Sequence, residues 1–124
     1  MKAYNKTIVL GNLGRDPEMR YTPNGKAVCN FSIASTDSFT RDGEKQEVTT
    51  WFRCTAWDKF AETCNNILKK GSQVLVEGRV SVSAYEKDGE PRASLELTVR
   101  DLIVVKWPKE EEEESSTGED SIPF

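Results

Sequence analysis

Val48-Thr49-Thr50-Trp51-Phe52-Arg53-Cys54-Thr55-Ala56-Trp57 runs without a break into Asp58-Lys59-Phe60-Ala61-Glu62-Thr63-Cys64-Asn65-Asn66-Ile67-Leu68-Lys69-Lys70-Gly71. The first stretch has a period of two. Val48, Thr50, Phe52, Cys54 and Ala56 share one face, which reads as core, and Trp51, Arg53, Thr55 and Trp57 share the other. The second stretch changes period: Phe60, Ala61, Cys64, Ile67 and Leu68 form the apolar stripe of an amphipathic helix. Asp58 is placed to cap its start. Lys69, Lys70 and Gly71 form a stop, with cations near the C-terminus and glycine just beyond.

Working outward, Lys6–Leu13 reads as a strand with a bend or bulge near Gly11 and Gly14. Asp16-Pro17 opens a loop, and Pro23-Asn24-Gly25 is a turn. Val28–Thr36 alternates, with Cys29, Phe31 and Ile33 on one side and Asn30, Ser32 and Ala34 on the other. Asp37–Glu47 is polar and reads as a long hairpin loop carrying Phe39, with Arg41-Asp42-Gly43 as its turn. Val74–Val82 is a strand interrupted by Gly78, where strong curvature is expected. A second loop spans Tyr85–Arg92 around Asp88-Gly89, and Ser94–Val105 is a last strand with an irregularity near Asp101. The order is β-β-β-α-β-β. An all-β chain with one helix between the third and fourth of five strands has the layout of the oligonucleotide-binding (OB) barrel.

Composition bounds the function. At 124 residues the chain holds one modest domain. No apolar run approaches the ~18 residues of a membrane span, and no signal peptide is expected, so the protein is read as cytoplasmic. There is no histidine, which removes the commonest general base and metal ligand; no cofactor or metal and no enzymatic activity is expected. Cys29, Cys54 and Cys64 form no C-x-x-C pair and read as buried free thiols. All 17 Lys and Arg lie in residues 1–109 beside 14 of the 21 acids, a net of +3; residues 110–124 carry the other seven acids and no base, a net of −7. A barrel domain is therefore expected over residues 1–107. An acidic tail, 108–124, has too little apolar surface to order itself.

The Trp51/Arg53/Thr55/Trp57 face is the candidate site. On a solvated sheet two tryptophans are a liability, and in a core Arg53 needs a buried partner; a binding face accounts for both. Bases stack on indole rings, and a guanidinium meets phosphate or stacks. Phe39 and Tyr85, each in a polar stretch, extend the set. Arg41, Arg53, Lys59, Lys87 and Arg92 supply cations for a sugar-phosphate backbone. The alternative for any one aromatic is packing against a partner subunit or the barrel end. At the far end, Glu119, Asp120, Ile122, Pro123 and Phe124 read as a peptide ligand: Phe124 enters an apolar pocket on a partner while the acids and α-carboxylate meet basic residues. These features fit a single-stranded-DNA binder, an RNA-binding OB module or a protein adaptor.

Asn5-Lys6, Val9-Leu10-Gly11-Asn12-Leu13-Gly14-Arg15-Asp16-Pro17-Glu18-Met19-Arg20-Tyr21, Pro23-Asn24-Gly25, Trp51, Lys70-Gly71-Ser72-Gln73-Val74, Val76-Glu77-Gly78 and the Ile122-Pro123-Phe124 ending together resemble the bacterial single-stranded-DNA-binding proteins. The resemblance covers about residues 4–107 and the last six. It implies an OB barrel, usually a homotetramer, that wraps single-stranded DNA in replication, recombination and repair, sits at the nucleoid, and recruits replication and repair proteins through its C-terminal tip. It places stacking on Phe39, Trp51, Trp57 and Tyr85. Phe39 and Tyr85 stand where that family often has Trp, Trp57 where Phe is frequent, and Phe52 at a position associated with subunit contacts. This chain departs from the pattern in its short Glu-rich linker and in Ser121, which replaces a customary acid.

Overall fold

A computed structural model describes residues 3–108. Alternation of small β-branched and apolar residues at Thr7–Leu13 gives strand β1, which buries Val9, Gly11 and Leu13. Strand β2 (Glu18–Tyr21) returns through a turn at Pro23-Asn24-Gly25 into the long strand β3 (Ala27–Arg41). Gly25 takes a positive φ of 88° there, and the Thr22 and Lys26 backbones close the turn with a 2.9 Å hydrogen bond. Strand β4 (Glu44–Trp57), helix α1 (Asp58–Ile67), and strands β5 (Gln73–Lys87) and β6 (Glu90–Lys106) complete the chain.

The sheet runs β1-β5-β6-β4-β3, and β3 pairs with β1 at Asn12 and Leu13 to close it. Among the described residues only the β4–β6 pairing is parallel. The result is the expected five-stranded barrel with one helix; β2 is an added short strand on β3. Its core joins Phe31 and Ile33 of β3, Cys54 and Ala56 of β4, Val74 and Val76 of β5, and Leu97 and Val99 of β6. Helix α1 closes part of the barrel with Ala61, Cys64 and the following Leu68, packing on β2, β3 and β4.

Four expectations need correction. First, a short strand, β2, follows directly on the loop opened at Asp16-Pro17, where no strand was expected. Second, Asp37–Glu47 and Tyr85–Arg92 are not loops. They extend β3–β4 and β5–β6 as two antiparallel ribbons paired to their tips, Arg41 with Glu44 and Lys87 with Glu90. Asp42-Gly43 (φ 54° and 78°) and Asp88-Gly89 (φ 54° and 81°) make the two-residue turns, both central residues taking the positive φ that suits Asp-Gly hairpins. Consequently Val48 and Thr50, assigned to the core, are exposed; only Cys54 and Ala56 of that face are buried, with Phe52 half-buried against the core. Third, Asp58 does not cap α1. Trp57 is the N-cap residue, no side chain caps it, and Asp58 itself has φ 60°. Fourth, α1 stops at Ile67: Leu68 is extended at φ −96°, ψ 148°, so Lys69 and Lys70 lie beyond the helix, in the turn held by Ser72. That buried residue accepts a 3.0 Å hydrogen bond from the Lys69 N–H on its hydroxyl.

The irregularity expected near Asp101 is a β-bulge. Glu77 faces Asp101 but Gly78 faces Val99, leaving Arg100 as the extra residue. A Cβ at Gly78 would run into the Thr98 carbonyl, so glycine lets the two backbones approach at the bend.

Candidate nucleic-acid interface

The β3–β4–β6 register sets the rows of side chains on the outer face. Val28 pairs with Trp57, Asn30 with Thr55, Ser32 with Arg53, and Ala34 with Trp51; Arg53 pairs on with Glu96, and Thr55 with Thr98. Successive rows are two residues apart, about 7 Å, so Trp51 and Trp57 bracket a strip of roughly 20 Å. Both are well exposed, at 53% and 42%. Trp51 lies across Gly14: a Cβ there would sit 2.8 Å from the indole ring. The glycine thus provides the flat floor on which this indole rests.

Between the tryptophan rows the surface is polar. The Arg20 guanidinium donates to Asn30 Oδ1 at 2.9 Å, and Asn30 Nδ2 donates to Thr55 Oγ1 at 3.0 Å. Arg53 Nη1 is 3.8 Å from Glu96 Oε2. A cavity of about 350 Å³ opens here, with Asn30, Ser32, Thr55, Arg53 and Glu96 among its walls.

Tyr85 shares this face. It pairs with Arg92, and that row continues the one through Glu96 and Ser81; Lys87 has the same parity at the ribbon tip. Arg92 also meets Glu90, with Nη2 to Oε1 at 3.5 Å. Lys59 lies exposed in the first turn of α1, two residues from Trp57. Trp51, Arg53, Trp57, Tyr85, Lys87 and Arg92 therefore belong to one continuous surface with Lys59 at its border. Phe39 and Arg41 do not join it by register. They alternate with Ser32 and Ala34 and so point to the other side of the β3–β4 ribbon, where Phe39 is 43% exposed. Glu119, Asp120, Ile122, Pro123 and Phe124 lie outside the described residues.

The sequence reading missed Asn30, Glu18, Glu96 and Arg15 as parts of the site. The polar alternates Asn30 and Ser32 in a half-buried strand were the available signal. No period marks Glu18 and Glu96, which arrive through pairing with distant strands. The three cysteines are buried free thiols. Burial pushes Cys29 up to about 11 and Cys54 and Cys64 up to about 12, the last two helped by a neighbouring thiol. They are core groups, and Cys54 is also among the residues that line the cavity. Among the described residues no group of His, Cys, Asp and Glu could hold a metal, and no helix is long and apolar enough to cross a membrane.

Comparison with known proteins matches residues 4–105 to the model of the Single-strand binding protein family. Two curated relatives, single-stranded DNA-binding proteins of Neisseria meningitidis serogroups A and B, are each 44% identical over 100 residues. These cover 79% of this chain but 58% of theirs, so the chain spans little more than half the relatives' length. Among solved structures, a Thermus aquaticus single-stranded DNA binding protein carrying a deletion aligns with TM-score 0.68 at 32% identity, covering 83% of this chain and 51% of that one. A small single-stranded DNA-binding protein from Streptomyces coelicolor (TM-score 0.71, 23% identity, 80% and 92% covered) and a Plasmodium falciparum SSB in complex with ssDNA (0.73, 24%, 86% and 98%) share the fold.

Proposed function

The chain belongs to the single-strand binding protein family, and from that premise we propose that it binds and protects single-stranded DNA, largely without regard to sequence, in replication, recombination and repair. The observation that carries this reading is the pair of exposed indoles, Trp51 and Trp57, on one polar outer strip. Stacking on such rings is worth about 1–3 kcal/mol per base and accepts any base, since every base has a π face. Tyr85 adds a third ring, and Phe39 a fourth reached when the strand crosses to the other side of the β3–β4 ribbon. Arg41, Arg53, Lys59, Lys87 and Arg92 contact the backbone. The task is binding rather than catalysis. The RNA-binding and adaptor readings keep no observation of their own here.

The active form is a homotetramer. Leu10 of β1, Leu75 of β5 and Ile103 of β6 face one another directly across three strands on the outer side of the sheet, with Leu10 and Ile103 at 49% and 56% exposure. A second copy of the chain covers this row. The barrel, residues 1–107, is the DNA-binding unit. Residues 108–124 form the acidic tail, whose tip (Glu119, Asp120, Ile122, Pro123, Phe124) recruits replication and repair proteins to the nucleoid-bound complex.

Tryptophan fluorescence during titration with poly(dT), repeated across salt concentrations, tests the central claim. Strong quenching is expected, with log K falling against log[salt] by about 0.7 for each phosphate neutralised. Absence of both quenching and binding at low salt overturns it.

A further inference from the structure

We propose that the cavity between the Trp51 and Trp57 rows is a base-reading pocket, which takes one unstacked base edge-on and favours bases that carry both an exocyclic amine and a ring carbonyl. The inference deepens the single-stranded-DNA reading and rests on it.

The pocket's charge argues first. Its walls hold Arg15 and Arg53 against Asp16, Glu18 and Glu96, and with Arg20 held on Asn30 the charges come to zero. Arg53 faces Glu96 at 3.8 Å, and Asp16 Oδ1 accepts the Lys70 N–H at 2.8 Å. Such a site has no surplus positive charge to draw a phosphate inside, and Arg53, about two-thirds exposed at 67%, is left to meet the backbone from outside. A neutral, polar group such as a base suits it, and its volume lies at the small end of the ~300–1,000 Å³ of ligand pockets.

Hydrogen-bond directions argue second. The Arg20 guanidinium can only donate, so the Asn30 atom it meets must be the carbonyl oxygen. That fixes the amide: Nδ2 donates to Thr55 Oγ1, and the Thr55 proton is left to point elsewhere. The Thr55 O–H and the second Nδ2–H are thus donors set for a carbonyl. The wall opposite Arg53 is a carboxylate, Glu96, which accepts from an amine as Asp and Glu do from the cytosine amine. Cytosine and guanine present amine and carbonyl on one edge. Thymine lacks the amine and adenine the carbonyl.

Position argues third. A strand stacked on both indoles must cross this pocket, because the Asn30–Thr55 and Ser32–Arg53–Glu96 rows lie between them. The base that bridges the two stacks has no ring of its own to lie on and turns its edge to the floor.

The test compares the full chain's affinity for oligo(dC) and oligo(dT) of equal length by tryptophan quenching, in the wild type, Thr55→Val and Glu96→Leu. Backbone flexibility and self-stacking of the two oligonucleotides cancel when the dC:dT ratio is compared between proteins. Glu96→Leu removes the amine's acceptor and should lower that ratio about fivefold, the equivalent of one net hydrogen bond; Thr55→Val removes a donor that thymine's carbonyls also use, and should weaken both oligonucleotides about fivefold with the ratio kept. A substrate-side arm needs no variant: an oligonucleotide of 2-pyrimidinone, cytosine without its amine, should bind the wild type about fivefold more weakly than oligo(dC). A ratio unchanged by Glu96→Leu, together with no penalty for the missing amine, overturns the pocket and leaves DNA binding standing. Failure of oligo(dT) and oligo(dC) alike to bind overturns both.

Discussion

Trp51 owes its lie to a residue thirty-seven positions upstream in sequence. Gly14 carries no side chain where the indole rests, and an added methyl would come within 2.8–2.9 Å of two ring carbons. The ring is the far end of a side chain, so it moves before the backbone does. Gly14→Ala should therefore leave the urea midpoint almost unchanged yet weaken oligonucleotide binding by part of what Trp51→Ala removes, itself about 1–3 kcal/mol; paired denaturation and quenching titrations read the two effects separately. The buried thiols give the opposite case, groups that matter to stability alone. Their pKa values are raised to about 11 for Cys29 and about 12 for Cys54 and Cys64 from a starting value of 9.0. The folded state thus holds these protons after the unfolded chain has released them. Their contribution is complete below about pH 9 and is lost as pH rises towards 11 to 12, at up to about 1.4 kcal/mol per pH unit for each thiol. Urea midpoints between pH 8 and pH 10.5 should fall, and should fall less in Cys54→Ala once its own loss of packing is subtracted as a pH-independent offset. Thiol reagents should label none of the three at pH 8 until the barrel opens.

The barrel strands were readable because each has one wet and one dry face: Cys29, Phe31 and Ile33 alternate with Asn30, Ser32 and Ala34, and all three apolar ones are buried. The ribbons were not. Between Asp37 and Glu47 both faces meet solvent, so the period-two signal vanishes although pairing is complete to the tip. Only Asp42-Gly43 and Asp88-Gly89 spoke for hairpins. Trp51, Arg53 and Trp57 were legible as a face from β4 alone, while the Glu18–Asn30–Thr55 row depends on register between three strands, which no local period encodes. The bulge at Arg100 stood between the two cases: an irregularity near Asp101 could be read from the sequence, but not which residue is the extra one. It reverses the alternation of β6, so that Leu97 and Val99 point inward before it, and Leu102 and Val104 after it. Gly78 sits opposite, too close to the Thr98 carbonyl to tolerate a Cβ. Here the obstacle is backbone on both sides, unlike the yielding indole at Gly14. Gly78→Ala should destabilise by about 1–3 kcal/mol, the usual range for forced overpacking, and a unchanged urea midpoint would show that β5 and β6 can separate at the bend without loss.

That reversal has a consequence for the whole molecule. By flipping β6 after Arg100, the bulge turns Ile103 outward, and Val105 is exposed as well, beside Leu75 and Leu10 and near Ile8. A monomer seldom leaves a contiguous apolar surface of more than a few hundred Å² uncovered. The same region includes the Thr7–Leu10 edge of β1, whose pairing with β3 begins only at Asn12 among the described residues; an unpaired strand edge is a template for another chain. Edge and apolar face thus invite a second copy from two directions, which is what a closed assembly of four needs. Trp51 and Trp57 lie on another strand, β4, outside this row. A charge placed in the row should therefore break assembly without unfolding the barrel. Leu10→Glu and Ile103→Glu are expected to reduce the solution mass, measured by light scattering, from the four chains proposed above to two or one, with the far-ultraviolet circular dichroism retained. Each separated barrel keeps Trp51 and Trp57, so short oligonucleotides that fit one barrel should still quench them. Long poly(dT) should bind more weakly, because the gain from linking several barrels on one strand disappears. If both variants keep the mass of four chains, the row Leu10–Leu75–Ile103 is not the interface and assembly must use another surface.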